Sequence, residues 1–294
     1  MKKVLLYCSA VAAIAAMQSC KNASFDKTKS GLMYKIISDN KSPLVKKGEF
    51  IKVHYVQKIK DSVMFSSFST LPTYAQVDSV GPIYSPMEVF PFVRKGDSLV
   101  VVQISDSVVA KMGGQMPPYM KKGDQLVLSL RVIDVLKDEE AVKADRENEM
   151  QAFQERENKA VEKYLADNKI NATPAGNGVF VEILSEGNGA VADSGKIVSV
   201  MYTGTLMDGG KEFDSNRDTA RNPAQTPLSF TMGQHQMIPG FEQGLKGLKS
   251  GTKAKIYIPS AQGYGQQPMP GGKGFDNLIF DVEIVEIKAD TSRK

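Results

Sequence analysis

Apolar and polar residues alternate along several short segments of this chain, as they do in strands that bury one face and expose the other. One such segment lies near the start of each half, at residues 51–55 and 198–202, and the second follows the first by 147 residues. Each half closes on a longer alternating segment, at residues 126–135 and 278–287. This internal repeat predicts two copies of one domain built on a mostly antiparallel sheet.

The region between those segments repeats as well. A glycine turn precedes a further alternating strand in each half, at residues 96–104 and 251–258. Ten residues beyond Tyr55 stands Phe65, and eleven residues beyond the tyrosine of the second half stands Phe213. We therefore pair these two phenylalanines as equivalent positions of the repeat.

Residues 137–170, between the two copies, are rich in Glu, Lys, Ala, Gln and Arg and contain neither Gly nor Pro. They predict a long, mostly polar helix with sparse apolar positions. One interpretation is a helix that dimerises through these positions. The preferred one is a solvated connector whose last turns dock on the second domain through Tyr164 and Leu165. Breaker residues in the segment 171–176 are expected to end the helix.

The first twenty residues read as a targeting segment. Two lysines precede an apolar stretch at residues 4–17, and small residues lead to Cys20. This arrangement resembles a bacterial lipoprotein signal, which implies removal of residues 1–19 and lipidation of Cys20. The alternative is simple secretion with cleavage nearby. No later apolar run approaches the roughly 18 residues of a membrane span, so we expect a chain in the bacterial cell envelope, held to a membrane by its lipid anchor.

Composition narrows the chemistry. The chain has 294 residues and a formal net charge of +4, which gives no reason to expect nucleic-acid binding. Both cysteines lie within the first twenty residues and there are two histidines in all. A disulfide framework and a cysteine nucleophile in the body of the chain are therefore excluded, and zinc ligands are too few. We expect neither a metal nor a cofactor.

The second half contains an ordered series of aromatic and glycine-rich motifs with almost no proton-transfer groups. Pro239 suits the first turn of a short helix that Gly244 or Gly247 would end. Apolar and aromatic side chains at strand and turn positions are expected to line one concave, mostly apolar site. The side chains expected in this lining are Tyr202, Phe213, Phe230, Ile238, Phe241, Tyr264 and Phe280.

In order and spacing, these motifs resemble the FKBP-type peptidyl-prolyl cis-trans isomerases over residues 176–288. The resemblance implies an α+β fold of two FKBP-like domains, residues 25–136 and 175–289, each an antiparallel sheet wrapped on a short helix and joined by the long helix. It implies the catalytic residues Tyr202, Phe213, Asp214, Ile238 and Tyr264. It implies the substrate-binding residues Phe230, Met237, Phe241, Phe275 and Phe280.

The resemblance also implies how these residues act. The proline ring would insert among the aromatic residues, the N–H of Ile238 and the hydroxyl of Tyr264 would donate to substrate carbonyls, and Asp214 would orient the site electrostatically. Phe241 stands where tryptophan is common in the family. The segment 265–275 departs from the family pattern, so Met269 or Phe275 is expected to form the wall there.

The first half is similar to the same family but lacks its chemical parts. Phe65 is paired with Phe213, so that Ser66 stands where the aspartate would be. The helix motif has shrunk to residues 87–93, and Gly-Tyr-Gly is absent. We interpret this half as a degenerate, inactive copy whose Met and Pro residues at 112–118 offer an adaptable surface to unfolded clients.

The expected function is isomerisation of Xaa-Pro bonds in unfolded or extended polypeptides during folding of envelope proteins. The alternative is a non-catalytic chaperone or scaffold lipoprotein that binds extended chains. A homodimer is compatible with either function.

Overall fold

The computed structural model describes residues 24–68, 70–112, 115–220 and 222–290. The signal segment and Cys20 lie outside the described residues. The chain divides into two compact units, residues 1–149 and 150–294, and the division falls inside the long helix.

The first unit is built on one seven-stranded sheet. Its strands are β1 (Asp26–Lys27), β2 (Met33–Ile37), β3 (Phe50–Ile59), β4 (Ser62–Ser66), β5 (Thr73–Gln76), β6 (Ser98–Ile104) and β7 (Gln125–Leu136). Its helical elements are the 3₁₀ turns Pro86–Glu88 and Phe90–Phe92, helix α1 (Ser105–Met112) and the start of helix α2 (Glu139–Asp167).

The second unit contains the rest of α2 and a sheet of the same size. Its strands are β8 (Thr173–Gly176), β9 (Val179–Ser185), β10 (Lys196–Leu206), β11 (Glu212–Ser215), β12 (Leu228–Thr231), β13 (Lys253–Ile258) and β14 (Leu278–Ala289). Its other helical elements are helix α3 (Pro239–Leu245) and the 3₁₀ turn Ser260–Gln262.

The two sheets have the same topology. The first has the order β1-β2-β6-β7-β3-β4 with β5 beside β3, and the second has β8-β9-β13-β14-β10-β11 with β12 beside β10. All strand pairings are antiparallel. Irregularities in the ladders of β3 fall at Lys52/Val53 and Gln57/Lys58, and 147 residues later β10 has its own at the equivalent places. The repeat predicted from the alternation is thus confirmed down to the bulges.

The pairing of Phe65 with Phe213 is wrong by one position. Phe65 lies opposite Gln57 in the first sheet, and Asp214 lies opposite the equivalent Gly204 in the second. Phe65, not Ser66, therefore occupies the place of the aspartate. The reason is the turn between the two strands, which has two residues in the first unit and five in the second, so that the register of the returning strand shifts.

Helix α3 packs closely on the sheet of the second unit. A side-chain carbon at Gly240 or Gly244 would collide with Ile258 or Ile256 of β13. Pro239 begins the helix as predicted. The two glycines let the helix approach the strand, and this contact places the N-terminal end of α3 against the aromatic core.

The first unit has two 3₁₀ turns where α3 lies in the second. Val89 and Val93 are fully buried there and Phe90 is largely buried, whereas Phe92 is half exposed. The position is filled by a few apolar side chains, which agrees with the shortened motif noted in the sequence.

The beginning of α2 is held to the first unit by charge. The Nζ atom of Lys52, a side chain 8% exposed, lies 2.7 Å from both Asp145 Oδ2 and Glu149 Oε1. Burial alone would lower the pKa of Lys52, but hydrogen bonds and attraction from the two carboxylates outweigh it and raise that pKa. The Tyr74 hydroxyl also donates to Asp145, at 2.5 Å.

The remainder of α2 packs in the second unit. Phe153 and Val161 are fully buried there, and Leu165 joins a small core cluster with Tyr164 packed against it. Docking of the last turns through Tyr164 and Leu165 is confirmed. Of the apolar positions of the helix, Val142, Phe153 and Val161 are buried within their own units, whereas Met150 remains 41% exposed. The segment after the helix is not merely a loop, since it contains edge strand β8, where Pro174 is tolerated because its missing N–H faces no partner.

Candidate active site

Most of the predicted site residues meet in the core of the second unit. They come from different elements, which the sheet and α3 bring together. The cluster contains these predicted residues: Tyr202, Phe213, Phe230, Met237, Ile238, Phe241, Tyr264 and Phe280.

Phe280 lies at the centre of the aromatic residues. Its ring centroid is 5.0 Å from that of Phe241, 5.6 Å from that of Phe213 and 6.0 Å from that of Tyr202. Phe230 extends the group, 6.1 Å from Phe241. The rings meet at angles of 48° to 86°, an arrangement that directs ring edges toward ring faces. The four phenylalanines are 3 to 5% exposed and form a dry apolar floor.

The rim of this floor is more open. Tyr202, Met237, Ile238 and Tyr264 are half-buried and pack against the buried rings. Met269 packs against the same cluster and supplies part of the wall left open by the sequence. A ligand that covered the floor would therefore touch polar groups along its edge.

Phe275 is not part of this cluster. Its ring packs edge-on against Phe153 of α2, with centroids 4.8 Å apart. The structure thus supports Met269 as the wall in this segment and gives Phe275 a different contact. The sequence held no signal for this, because the partner of Phe275 lies more than a hundred residues away on the polar helix.

Gly204 permits the aromatic packing. A side-chain carbon at this position would lie 2.6 Å from Cζ of Phe213 and 2.9 Å from Cε1 of Phe280. Any other residue would displace at least one ring. Sequence reasoning missed Gly204, because the closeness of two aromatic rings to a glycine cannot be read from the order of residues.

Tyr202 and Asp214 form the polar pair of the site. The Tyr202 hydroxyl donates to Asp214 Oδ2 at 2.6 Å. Burial raises the pKa of Tyr202, and the hydrogen bond to Asp214 and its negative charge raise it further. Asp214, expected to need a partner or a role beside a buried aromatic, has this partner.

Asn216 fixes the strand that carries this pair. Its Oδ1 accepts from the Tyr202 N–H at 2.7 Å, and its Nδ2 donates to the carbonyl of Val200 at 2.9 Å. The side chain thus ties the end of β11 to β10. Sequence reasoning missed Asn216, since its role depends on a register that the residues alone do not reveal.

Glu242 organises the entrance to α3. This largely buried carboxylate accepts from the N–H of Gly233 at 2.9 Å and from that of Met237 at 3.4 Å. Ile238, which follows Met237, has φ −60 and ψ 142. Within the described residues, its N–H donates no hydrogen bond. That N–H therefore stands ready for a substrate carbonyl. Glu242 was also missed, because a glutamate inside a short helix looks like an ordinary surface residue.

Tyr264 belongs to a turn held by one carbonyl. The Ser260 carbonyl accepts from Gly263 N at 3.0 Å and from Gly265 N at 3.1 Å, on either side of the tyrosine. The Tyr264 ring meets Phe213 at 88°, with centroids 6.0 Å apart. Burial raises the pKa of Tyr264, and the Asp214 charge adds to this, so the hydroxyl keeps its proton and remains a donor at neutral pH.

The arrangement suits binding and not proton transfer. Among the described residues there is no group of three or more His, Cys, Asp or Glu that would hold a metal ion. In the same part of the chain, no helix is long and apolar enough to cross a membrane. A separate cavity of about 620 Å³ opens between β8, β9 and α3, and none of the predicted site residues lines it.

The second unit is thus a domain with a buried aromatic floor beside the start of a short helix, under an antiparallel sheet, with hydrogen-bond donors along the edge of the floor. Comparison with known proteins agrees. Residues 189–285 match the family described as FKBP-type peptidyl-prolyl cis-trans isomerase. The FK506-binding protein of Neisseria meningitidis serogroup B is 40% identical over 111 residues, which are 37% of this chain and 96% of that protein. The chain therefore belongs to the FKBP-type peptidyl-prolyl cis-trans isomerase family.

A further relative matches a part of this chain that is longer than the second unit. The FKBP-type peptidyl-prolyl cis-trans isomerase FkpA of Escherichia coli is 29% identical over 204 residues, covering 61% of this chain and 73% of that protein. The crystal structure of FkpA matches 51% of this chain and 70% of its own, with 31% identity and a TM-score of 0.38. The chain spans about a quarter of the length of several other curated relatives.

Proposed function

We propose that the second unit is an active peptidyl-prolyl cis-trans isomerase that accelerates rotation about Xaa-Pro bonds in unfolded or extended polypeptides. The observation that carries the proposal is the dry aromatic floor with three polar groups at its edge, Ile238 N–H, the Tyr264 hydroxyl and the Tyr202–Asp214 pair. Family membership supports the same activity.

The reaction needs no broken bond. Rotation about the amide is slow because resonance makes the planar form stable, with a barrier of about 18–20 kcal/mol. Catalysis then requires tighter binding of the twisted amide than of either planar isomer. Each tenfold gain in rate corresponds to about 1.4 kcal/mol of this difference.

The site supplies that difference in three ways. The buried phenylalanines hold the proline ring away from water, and an apolar surrounding disfavours the charge-separated planar amide. The Ile238 N–H and the Tyr264 hydroxyl hold the substrate carbonyls on either side of the rotating bond. Asp214, held by Tyr202, places a negative charge near the twisting group.

Isomerisation of a proline tetrapeptide by the chain without residues 1–19 tests this proposal. We expect Phe213→Ala to lower kcat/KM at least about tenfold, because it removes part of the floor. We expect Tyr264→Phe to lower it about 2- to 12-fold, since a net hydrogen bond contributes about 0.5–1.5 kcal/mol.

Tyr257→Phe is the matched control for Tyr264→Phe. Tyr257 is a buried tyrosine of the same unit whose hydroxyl donates to Glu182 at 2.7 Å, outside the aromatic cluster. This variant should keep the wild-type rate. Absence of isomerase activity in the wild type, or equal effects of the two tyrosine variants, would contradict the proposal.

A second function is favoured by the first unit, namely binding of extended polypeptide. Strand β4 is an edge strand, and Val63, Met64 and Phe65 are 57%, 47% and 45% exposed on it. Proteins usually blunt such edges with charge or proline, since an apolar edge pairs readily with another strand. We propose that an extended apolar client segment adds to β4 as a further strand.

Suppression of aggregation of an unfolded client tests this second function. Replacing Val63, Met64 and Phe65 together by serine should weaken suppression while leaving isomerase activity unchanged. The control pair is Ile183→Ser with Leu184→Ser, which removes two similarly exposed apolar side chains from the second unit. Equal losses in both variants would show general surface hydrophobicity and would overturn the assignment to β4.

We further propose a place in the bacterial cell envelope, with a lipid anchor at Cys20. The support is the pattern of residues 1–20, with its paired lysines, apolar stretch and single cysteine. Cys20→Ala should release the chain from the membrane fraction and abolish labelling with a radioactive fatty acid. Unchanged labelling would exclude this cysteine as the anchor.

A further inference from the structure

Helix α2 contacts the loop that carries Tyr264, residues 259–277, through the ring of Phe275. Phe153 of α2 is 1% exposed, and its ring meets the ring of Phe275 edge-on at 4.8 Å. The Arg156 guanidinium covers Phe153, 5.4 Å from the ring centroid. These residues all belong to the second unit, so the helix contributes a buried side chain to the closing end of this loop.

The backbone at that closing end is strained. Phe275 has φ +55, in the left-handed region that a bulky side chain rarely adopts. Its N–H donates to the carbonyl of Gly265, directly after the tyrosine, at 2.6 Å. A bulky residue in this conformation is strained and persists only when its surroundings hold it. The contact with Phe153 is one of the interactions that keep Phe275 in this conformation.

The opening end of the loop is tied to the residues that follow its closing end. Asn277 Oδ1 accepts from the Ser260 N–H at 2.7 Å. Asn277 lies two residues after Phe275, so the two ends of the loop are joined next to the contact that Phe153 makes.

These contacts bracket Tyr264. Ser260 fixes both glycines that flank the tyrosine through its carbonyl, and Phe275 fixes the second of them through its N–H. We propose that Phe153 is a positioning residue of the isomerase, which sets the place of the Tyr264 hydroxyl by holding the closing end of its loop at Phe275. The proposal rests on the isomerase function proposed above.

A double-mutant cycle on kcat/KM tests the link to Tyr264. Phe153→Ala is expected to lower kcat/KM about tenfold in the wild type, with most of the loss in kcat, because misplacement of a donor by about 1 Å is costly. In a Tyr264→Ala background the same change should lower it less than twofold, since residues that act through one group are not additive. Equal fold-losses in both backgrounds would overturn the proposal.

Two variants separate positioning from general stability. Val161→Ala truncates another fully buried residue of α2, which packs with Met207 and Tyr257 and away from the loop. It should lower thermal stability without changing kcat/KM. Phe153→Leu keeps a large apolar side chain and should recover most of the activity. If Phe153→Ala does not fold, Phe153→Val replaces it in the cycle, with the same expected contrast between the two backgrounds. A matching activity loss in Val161→Ala would contradict the assignment.

Hydrogen exchange supplies a readout that does not depend on activity. The Gly265 and Phe275 amides should exchange at least about tenfold faster in Phe153→Ala, relative to the Ile256 amide in the neighbouring sheet. If the wild type lacked isomerase activity but these amides still responded, the proposed function would fail while the structural link stood. Unchanged exchange would overturn the link itself.

Discussion

The two units have sheets of the same seven-stranded topology, but the side chains that the two sheets enclose are different. Their sheets share strand order and antiparallel pairing, and their bulges recur at an offset of 147 residues. In the second unit the strands enclose a floor of four buried phenylalanine rings, whereas the core of the first unit is mostly aliphatic and buries a single phenylalanine, Phe90. Two domains can therefore share a sheet topology while only one of them has the site, because the site depends on the side chains at a few positions of the sheet.

Three equivalent positions account for much of the difference. Gln57 stands where the second unit has Gly204, the position at which a side chain would collide with Phe213 and Phe280. Phe65 stands in the place of Asp214, and its ring stacks on Tyr55 at 5.0 Å where the second unit has a hydrogen bond. The third position is opposite Gln57 on β7, where Leu128 replaces the central Phe280.

The largest expected effect comes from giving the second unit the residue of the first at the first of these positions. Gly204→Gln should displace Phe213 and Phe280, lower kcat/KM at least about a hundredfold and destabilise the unit by about 1–3 kcal/mol. Tetrapeptide isomerisation and urea unfolding measure both. Gln57→Gly in the first unit is the matched control and should leave isomerisation intact. Retention of more than a tenth of the activity in Gly204→Gln would refute this account of the difference.

The next effect is confined to the first unit. Lys52→Met removes the cation between Asp145 and Glu149 and should lower the free energy of unfolding of that unit by about 2 kcal/mol, less than for a fully buried pair, because both carboxylates keep contact with water. The equivalent residue of the second unit is Ser199, so Ser199→Ala should have little effect. Urea unfolding followed separately in each unit by NMR checks this.

The contribution of Lys52 to the stability of the first unit is expected to depend on pH. Its pKa is raised in the folded state, so its contribution to stability is complete below the ordinary lysine pKa of 10.5 and is lost as pH rises above that value. The stability difference between wild type and Lys52→Met should therefore shrink above about pH 10.5. A difference that grew with pH would contradict the assigned pairing.

A smaller effect is expected at the polar pair. Asp214→Ala leaves the half-buried Tyr202 hydroxyl without its acceptor and removes the charge beside the substrate, so kcat/KM should fall about tenfold. Adding Tyr202→Phe should cost little more, because both changes break one hydrogen bond. Independent, multiplicative losses would show that the two residues act separately.

The smallest expected effect is none. Giving the first unit the three residues of the second, by Gln57→Gly, Phe65→Asp and Leu128→Phe, should not create isomerase activity, because that unit has 3₁₀ turns where α3 brings Phe241. The measurement needs a Phe213→Ala background, so that activity of the second unit does not mask the result. Measurable gain would show that the three positions suffice.

Much of the fold was predictable because alternation and motif order are local properties of a sequence. The strands at 126–135 and 278–287 lie within β7 and β14, and the helix predicted over 137–170 runs from Glu139 to Asp167. The aromatic residues of the site were found because each stands in a strand or turn motif. Their meeting in one cluster follows from a topology that the family resemblance implied.

The remaining features depend on distances that sequence spacing does not record. The mispairing of Phe65 arose from a turn of different length, which changes register without changing the motif. Phe275 resembled a wall residue until its contact with Phe153 was known. The roles of Asn216 and Glu242 are hydrogen bonds to backbone groups, which depend on the folded chain and leave no pattern in residue order.

The burial of Phe153, Val161 and Leu165 against the second sheet bears on how this chain is cut for study. A fragment that starts after residue 170, where the sheet begins, would lack these side chains and expose Phe275, Tyr257 and Met207 to solvent. We expect such a fragment to be less stable and to aggregate. Isomerase rates measured on such a truncation would understate the activity that we propose for the intact chain. A fragment that contains the complete second unit should therefore begin upstream of Met150, within the long helix.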